Sequence, residues 1–185
     1  MEKGTAEFIS FSKNPLKFRL FLLQKLPSAF FSGLRITAID EEKSVVCVPY
    51  RWFTRNPFRS TYFACLGMAA EMSTGVLAMA HTHKREPSIS MLVVKMEASF
   101  YKKATNKSRF ICDEGIKIRE TIERAVTSSL GETVTVKATG WSENEEKIAE
   151  FFITWSFKAR SKRGSSGEVK SPHLSTTIKT TQSPL

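Results

Sequence analysis

Residues 60–80 read STYFACLGMAAEMSTGVLAMA, and Glu71 is the one charged side chain among them. A segment that is apolar on every side predicts a buried helix, because it keeps no polar face for water. A carboxylate near its centre must be paired, kept neutral by a raised pKa, or used in chemistry. At helical spacing its neighbours include Gly67 and Gly75, which leave space beside the acid. The stretch therefore predicts a central helix with a candidate functional group at Glu71.

Two other interpretations of this stretch stay open. It is long enough to span a membrane, and Arg59 and Lys84 flank it. A central glutamate is costly in lipid and strand-like segments follow, so we expect no stable membrane insertion. In the second interpretation Glu71 is a structural acid, paired with a basic residue in the core or across a subunit interface.

The composition indicates a single globular domain with a strong basic excess. The chain has 185 residues, of which 41% are hydrophobic, and fourteen phenylalanines suggest an apolar interior or pocket. Its net charge of +10 favours anionic partners, whether nucleic acid, a membrane surface or a phosphorylated cofactor. No nucleic-acid-binding motif is recognisable, so nucleic acid is not an expected partner.

The cysteine and histidine patterns argue against disulfides and metal. Cys47, Cys65 and Cys112 are widely spaced in apolar runs without a CxxC pair, and the three histidines form no zinc pattern. Structural thiols in a reducing compartment fit best, and we expect no metal and no cofactor. The first residues lack a signal-peptide hydrophobic stretch, so the expected location is cytoplasmic.

An amino-terminal helix is predicted over residues 14–31, where apolar residues mix with lysine and arginine. Asn14-Pro15 is a suitable helix start, and Pro27 should break the helix or begin a second turn. A basic amphipathic helix can lie on a membrane surface. More often it covers the end of a core or forms a lid over a pocket, and we favour that interpretation.

The remaining elements predict a sheet around the central helix. Strands are expected over residues 34–39, 44–50, 90–103, 109–113, 133–141 and 149–160, with a helix over 116–128. From Ser161 the chain turns to serine, threonine, lysine, glycine and proline, and such a tail should be disordered. We therefore predict an N-terminal segment (1–13), a folded α+β domain (14–160) with an antiparallel sheet wrapped around one helix, and a tail (161–185).

Several short motifs in this order resemble one known superfamily. They are Arg55-Asn56-Pro57 before the helix, Thr61-Tyr62-Phe63 at its start, Ala70-Glu71 and Gly75 within it, and the run at 98–104. Over about residues 16–160 the chain resembles the hot-dog superfamily, and within it the DUF4442 family, close to the phenylacetate-pathway and human acyl-CoA thioesterase-like proteins. The resemblance implies a hot-dog fold, in which a curved antiparallel sheet wraps a long central helix.

The same resemblance implies roles for individual residues. Glu71 would act as general base or nucleophile on a thioester, and Asn56 would orient the acid or a water molecule. The backbone amides of Phe63 or Ala64 would polarise the thioester carbonyl, because a helix amino terminus offers free N–H groups and partial positive charge. The substrate-binding residues would be Tyr62, Phe63, Ala64, Gly75, Lys95, Lys102 and Lys103.

The three lysines have alternative interpretations. Lys95 could pair with Glu71 or with a carrier phosphate, or it could be an edge lysine whose stem is buried. Lys102 and Lys103, near Lys107, are better phosphate candidates, although a solvated charge run explains them equally well.

The expected function is hydrolysis of an acyl-CoA or acyl-carrier thioester. The usual His-Gly-Gly at the helix start is replaced by Tyr62-Phe63-Ala64, which removes a polar contact and narrows access to the backbone. Dehydration is not expected, because hot-dog dehydratases need a catalytic histidine. The alternative is a non-catalytic fatty acyl or acyl-CoA binding protein. Relatives also imply a homodimer or dimer-based tetramer with sites at the subunit interface.

Overall fold

The computed structural model describes residues 2–160, and the predicted disordered tail lies outside the described residues. The helices are α1 (Lys3–Lys13), α2 (Pro15–Lys25), α3 (Pro27–Ser32), α4 (Phe63–Thr82) and α5 (Gly115–Ser128). The strands are β1 (Arg35–Ile39), β2 (Ser44–Val48), β3 (Ile89–Phe100), β4 (Ser108–Cys112), β5 (Gly131–Ser142) and β6 (Lys147–Ala159). A short 3-10 turn, Trp52–Thr54, lies between β2 and α4.

The six strands form one antiparallel sheet in the order β1-β2-β4-β5-β6-β3. The predicted turn between β1 and β2 is held by Asp40, whose Oδ1 accepts hydrogen bonds from the amides of Glu42 and Lys43 at 2.8 and 2.7 Å. The inward residues of β6, Phe151, Ile153 and Trp155, are almost completely buried. The prediction of an antiparallel sheet around one helix is confirmed.

The central helix α4 packs on the concave face of this sheet, against β2, β4, β5 and β6. By length and composition it could cross a membrane, but two thirds of its apolar window (67%) is buried within the fold. That burial is what the core helix of a globular domain shows, and no membrane span is indicated. Its apolar surroundings explain why a helix without a polar face is stable here.

The first helix, α1, was not predicted from the sequence. Phe8 and Ile9 are buried, and the helix packs against α4 and β1. Its polar residues hide the apolar spacing, and no side chain caps its amino terminus. Residues 3–13 therefore complete the core over one side of the central helix.

Strand β3 forms one edge of the sheet and leaves part of the concave face uncovered. In the register with β6, Met96 lies opposite Ile153 and Ala98 lies opposite Phe151. Opposite residues of an antiparallel pair share a face, so these β3 side chains face the concave side. Met96 is nevertheless 43% exposed, and Phe100, on the same face, is 51% exposed. This uncovered area lies beside the amino-terminal half of α4.

Candidate active site

One strip of α4 stays open to solvent, although most of the helix is buried. Its members are Phe63, Ala64, Gly67, Met68 and Glu71, of which Phe63 is exposed and the others are half-buried. Each of them has another member three or four residues away, which places them on one helix face. The acid and the start of the helix therefore look out on the same side.

Glu71 occupies the inner end of this strip. Its Oε1 lies 3.2 Å from the point that a Cβ on Gly75 would occupy, and the indole ring of Trp155 lies 3.3 Å from that same point. No side chain within residues 2–160 forms a hydrogen bond or ion pair with the Glu71 carboxyl group. Burial raises the pKa of Glu71 above its ordinary value. Within the described chain, Glu71 therefore has no cation partner, which the interpretation of a structural, paired acid would require.

Trp155 and Thr74 complete the surroundings of the acid, and neither was predicted as a site residue. The indole N–H of Trp155 donates a hydrogen bond to Thr74 Oγ1 at 2.9 Å, and that hydroxyl donates to the Glu71 carbonyl oxygen at 2.9 Å. Trp155 is only 4% exposed. Helical spacing makes Thr74 a neighbour of Glu71, but nothing in the sequence places Trp155, on β6, beside the central helix.

The start of α4 presents free backbone donors. The amides of Cys65 and Leu66 both bond to the Tyr62 carbonyl, and the amide of Tyr62 bonds to Thr54. No side chain caps the helix. Among the described residues this leaves the amides of Phe63 and Ala64 without an acceptor, as expected for the first turn of a helix. An oxyanion placed there would meet two donors and the positive end of the helix dipole.

A groove of about 450 Å³ opens beside this helix start. Its lining combines apolar rings with polar loop residues: Asn56, Phe58, Ser60, Thr61, Phe63, Leu66, Phe100, Tyr101, Lys102, Lys103 and Ala104. Four predicted site residues, Asn56, Phe63, Lys102 and Lys103, thus meet at one place. Glu71 and Gly75 do not line this groove; they lie further along the same helix.

The Asn56 side chain organises the loop before the helix. Its Oδ1 accepts hydrogen bonds from the amides of Phe58 and Ser60 at 3.0 and 3.1 Å, and its Nδ2 donates to Ser60 Oγ at 3.0 Å. It makes no contact with Glu71 of the same chain in the described structure. Its observed role is to fix the turn that leads into α4.

The lysines are separated by the structure. Lys95 lies opposite Thr154, on the outer face of the sheet, and forms an ion pair with Glu97 at 2.9 Å. The Lys95–Glu71 pair, one of the alternatives for this lysine, is therefore not formed within the described chain, because the two side chains lie on opposite faces. Lys102 pairs with Glu146, whereas Lys103 is exposed at the groove.

Replacing Gly75 by alanine is expected to disturb the acid, and the same change at Gly67 is not. A Cβ on Gly67 would lie 3.7 Å from Phe151, an ordinary contact, so Gly67→Ala should stabilise the helix by about 0.5–1 kcal/mol. A Cβ on Gly75 would crowd Glu71 and Trp155 at 3.2 and 3.3 Å, which should cancel that gain. Thermal unfolding of both variants measures the difference. Equal stabilisation would show that the Glu71 carboxyl group does not rest against Gly75.

Comparisons with known proteins bear on this fold. Among solved structures, a Pseudomonas aeruginosa protein of unknown function described as a "Probable Thioesterase" has a TM-score of 0.68 and 18% identity, covering 80% of this chain and 97% of its own. A thioesterase family protein from Silicibacter pomeroyi has a TM-score of 0.57 and 15% identity, covering 85% of this chain and 100% of its own. The E. coli PaaI protein from the phenylacetic acid degradation operon has a TM-score of 0.55 and 10% identity, covering 82% of this chain and 96% of its own.

At these identities the likeness establishes the fold, which is the hot-dog fold. A search of curated proteins gives no significant sequence match. Residues 17–157 match a family described as "Domain of unknown function (DUF4442)", and that range holds α4, every candidate site residue and the sheet except the last two residues of β6. The chain belongs to the DUF4442 family.

Proposed function

We propose that the protein hydrolyses an acyl-CoA or acyl-carrier thioester, with Glu71 as the general base. One observation carries the proposal: an unpaired carboxyl group with a raised pKa shares the open strip of α4 with the free amides at the helix start. Acyl transfer needs both a base and donors for a developing oxyanion. The hot-dog fold of thioesterase family proteins supports the same activity class.

The spacing favours a base that acts through water over direct attack by the carboxylate. Glu71 follows Phe63 by eight positions, which corresponds to about 12 Å along the helix axis. A substrate carbonyl bonded to the backbone amide, the attacking water, and a hydrogen bond from that water to the carboxylate together span about 10 Å from the amide nitrogen to the carboxylate oxygen. Glu71 would remove the proton of the water as its oxygen attacks the carbonyl carbon. The amides of Phe63 and Ala64 would hold the oxyanion until the C–S bond breaks and the thiolate leaves.

The groove offers matching surfaces for both parts of such a substrate, the acyl chain and the charged carrier. Phe63, Leu66 and Phe100 give it an apolar wall, and Lys103 is an exposed cation at its edge. An acyl chain and the phosphates of a coenzyme A or phosphopantetheine carrier have matching chemistry. We place Tyr62 at the same entrance, because it is 45% exposed and its ring contacts Phe63 at 4.9 Å.

Affinity should therefore rise with acyl length, by up to about 0.8 kcal/mol for each buried methylene until the groove is filled. It should fall as salt increases, because exposed phosphate contacts are screened. Calorimetric titration with a non-hydrolysable acyl-CoA series measures both trends. Binding that does not depend on chain length would contradict an acyl-binding groove, for the enzyme and for the binding protein alike.

A homodimer is part of the proposal. Strand β3 has twelve residues at the edge of the sheet, and its concave side exposes Met96 and Phe100. An edge of this length usually finds a partner or protection. Pairing of two β3 strands would cover these residues and bring a second chain beside Glu71. We infer that Asn56 of one copy would then serve the acid of the other, since it does not reach Glu71 within its own chain.

The second candidate is an acyl-binding protein without turnover. The observation that favours it is the helix start, where Phe63 stands in place of glycine and is 60% exposed. A side chain at this position can restrict the approach of a carbonyl group to the backbone amides. The acyl-binding groove would remain, and only the chemistry would be absent.

Release of free thiol from a panel of short to long acyl-CoAs distinguishes the two candidates. Turnover that Glu71→Gln abolishes supports the enzyme, and binding without turnover supports the second candidate. A cytoplasmic location also belongs to this proposal, because Cys47, Cys65 and Cys112 are free thiols and coenzyme A esters are intracellular substrates.

A further inference from the structure

The outer face of α2 carries large apolar side chains that the rest of the described chain leaves uncovered. Phe18 and Leu22 point into the core and are 5% and 1% exposed. Leu16, Leu20 and Leu23 are 76%, 61% and 41% exposed. Their spacing places the three leucines on one face, opposite the buried pair. Contact with the core explains the apolar face of Phe18 and Leu22, but it does not explain the apolar face that the three leucines form.

This apolar surface continues through α3 to the 3-10 turn. The rings follow one another at centroid distances of 5.3 Å for Phe30–Phe31, 6.4 Å for Phe31–Phe53 and 6.3 Å for Phe53–Trp52. Trp52 is 81% exposed, more than any other large hydrophobic residue within 2–160. We call the set the α2–Trp52 surface: Leu16, Leu20, Leu23, Leu26, Phe31, Trp52 and Phe53.

Cations without acidic partners surround this surface. Residues 13–35 and 44–70 contain eight lysines and arginines and not one aspartate or glutamate: Lys13, Lys17, Arg19, Lys25, Arg35, Arg51, Arg55 and Arg59. In the part of the chain that the structure describes, every ion pair uses a cation from Lys84 onward. Arg51 instead donates a hydrogen bond to the carbonyl of Phe31 in the surface at 3.0 Å, and Arg19 lies over the ring of the adjacent Phe30 at 4.2 Å.

We infer that the α2–Trp52 surface docks the protein on an anionic lipid bilayer. The exposed leucines and aromatic rings would enter the boundary between headgroups and acyl chains, and the flanking cations would meet the lipid phosphates. Trp52 suits this boundary, because an indole ring has both an apolar body and a polar N–H. This docking is peripheral and requires no helix to cross the membrane.

Charge and side-chain type favour lipid over the two other occupants. A second copy docking on the same surface would bring like charges together, which is unfavourable. Single-stranded nucleic acid would use aromatic rings for stacking, but the leucines of α2 offer no stacking face. The combination of leucine, tryptophan and unpaired cations matches an anionic membrane surface.

Vesicle flotation with the full chain tests the inference. The protein should float with phosphatidylcholine vesicles that contain about one third phosphatidylglycerol, and weakly with phosphatidylcholine alone. Raising the salt should weaken the binding. The double variant Leu16→Ser/Leu20→Ser should bind at least about tenfold more weakly. The matched control is Leu130→Ser, at a residue that is 66% exposed in the connection between α5 and β5, and it should bind like the wild type.

Quenching of tryptophan fluorescence by brominated lipids gives a second measurement that does not depend on the leucine variants. Quenching is expected for the wild type and should be largely lost in Trp52→Phe, because Trp155 is buried and the half-buried Trp141 lies on β5, outside the α2–Trp52 surface. Unchanged flotation of the double leucine variant would overturn the inference. It would also be overturned if the leucine substitutions dissociated an oligomer of the protein in the absence of lipid, since a second copy would then be the occupant.

Discussion

Glu71→Gln is expected to lower thioester hydrolysis by about 10²–10⁴-fold, the usual cost of removing a general base. Glutamine keeps the size of the side chain beside Gly75 and Trp155, but it cannot accept a proton from water. Release of free thiol measured at saturating acyl-CoA checks the loss. A variant that keeps more than about a tenth of the wild-type rate would remove Glu71 from the catalytic role.

The same substitution should stabilise the fold at neutral pH, which separates a catalytic acid from a structural one. Burial raises the pKa of Glu71, so the folded chain binds its proton more tightly than the unfolded chain. The stability that this proton contributes is complete below the ordinary pKa of 4.5 and is lost as the pH rises through the raised value. The Glu71→Gln variant does not lose this stability as the pH rises, because glutamine does not ionise.

The melting temperature of the variant should exceed that of the wild type at pH 7, and the difference should disappear near pH 4. An acid held by a cation would behave in the opposite way, because its replacement would leave a buried charge unpaired. The hydrolysis rate should rise with pH through the raised pKa of Glu71, since only the ionised carboxylate is a base.

Trp155→Ala is expected to destabilise the protein by about 3–5 kcal/mol, as large aromatic truncations in a core do. The indole is 4% exposed, stacks on Phe157 with a centroid distance of 6.5 Å and holds Thr74 by a hydrogen bond. Denaturant unfolding measures the change in free energy. Water entering the vacated space should also lower the pKa of Glu71 toward its ordinary value.

Two further variants keep this prediction testable. Trp141→Ala removes an indole that is only half-buried at the far end of β5, so its cost should be clearly smaller. Trp155→Phe retains an aromatic ring and loses the hydrogen bond to Thr74, so it should fold and cost about 0.5–1.5 kcal/mol. Similar losses for both alanine variants would mean that Trp155 has no special part in the core beside Glu71.

The central helix and the sheet were predictable because their signals are local. An apolar run with one acid predicts a buried helix, and the alternating segments around it predict strands. Helix α1 was missed because Phe8 and Ile9 are separated from the main core elements by a polar sequence. Their burial depends on the approach of α4, which no short window of sequence contains.

The site was predictable only in part for the same reason. Glu71 stands out by its chemistry, and Gly75 by its helical spacing. The wall that Trp155 forms depends on the register of β6 against the helix, and the position of Lys95 depends on a bulge in β3 between Val93 and Lys95. The face of the sheet on which a side chain lies depends on how the strands pair. A lysine in an apolar run could therefore not be assigned to either face from sequence alone.

The strand order has a consequence for synthesis of the chain on the ribosome. Strand β3 ends at Phe100, but its partner β6 begins only at Lys147. At the usual rates of translation, roughly 2–10 s pass between the two segments. During this interval β3 has been made without the strand that pairs with it, and α4 still lacks the part of its cover that β6 supplies. Until β6 is made, β3 stays an unpaired strand, and the nascent chain is prone to aggregation through this edge.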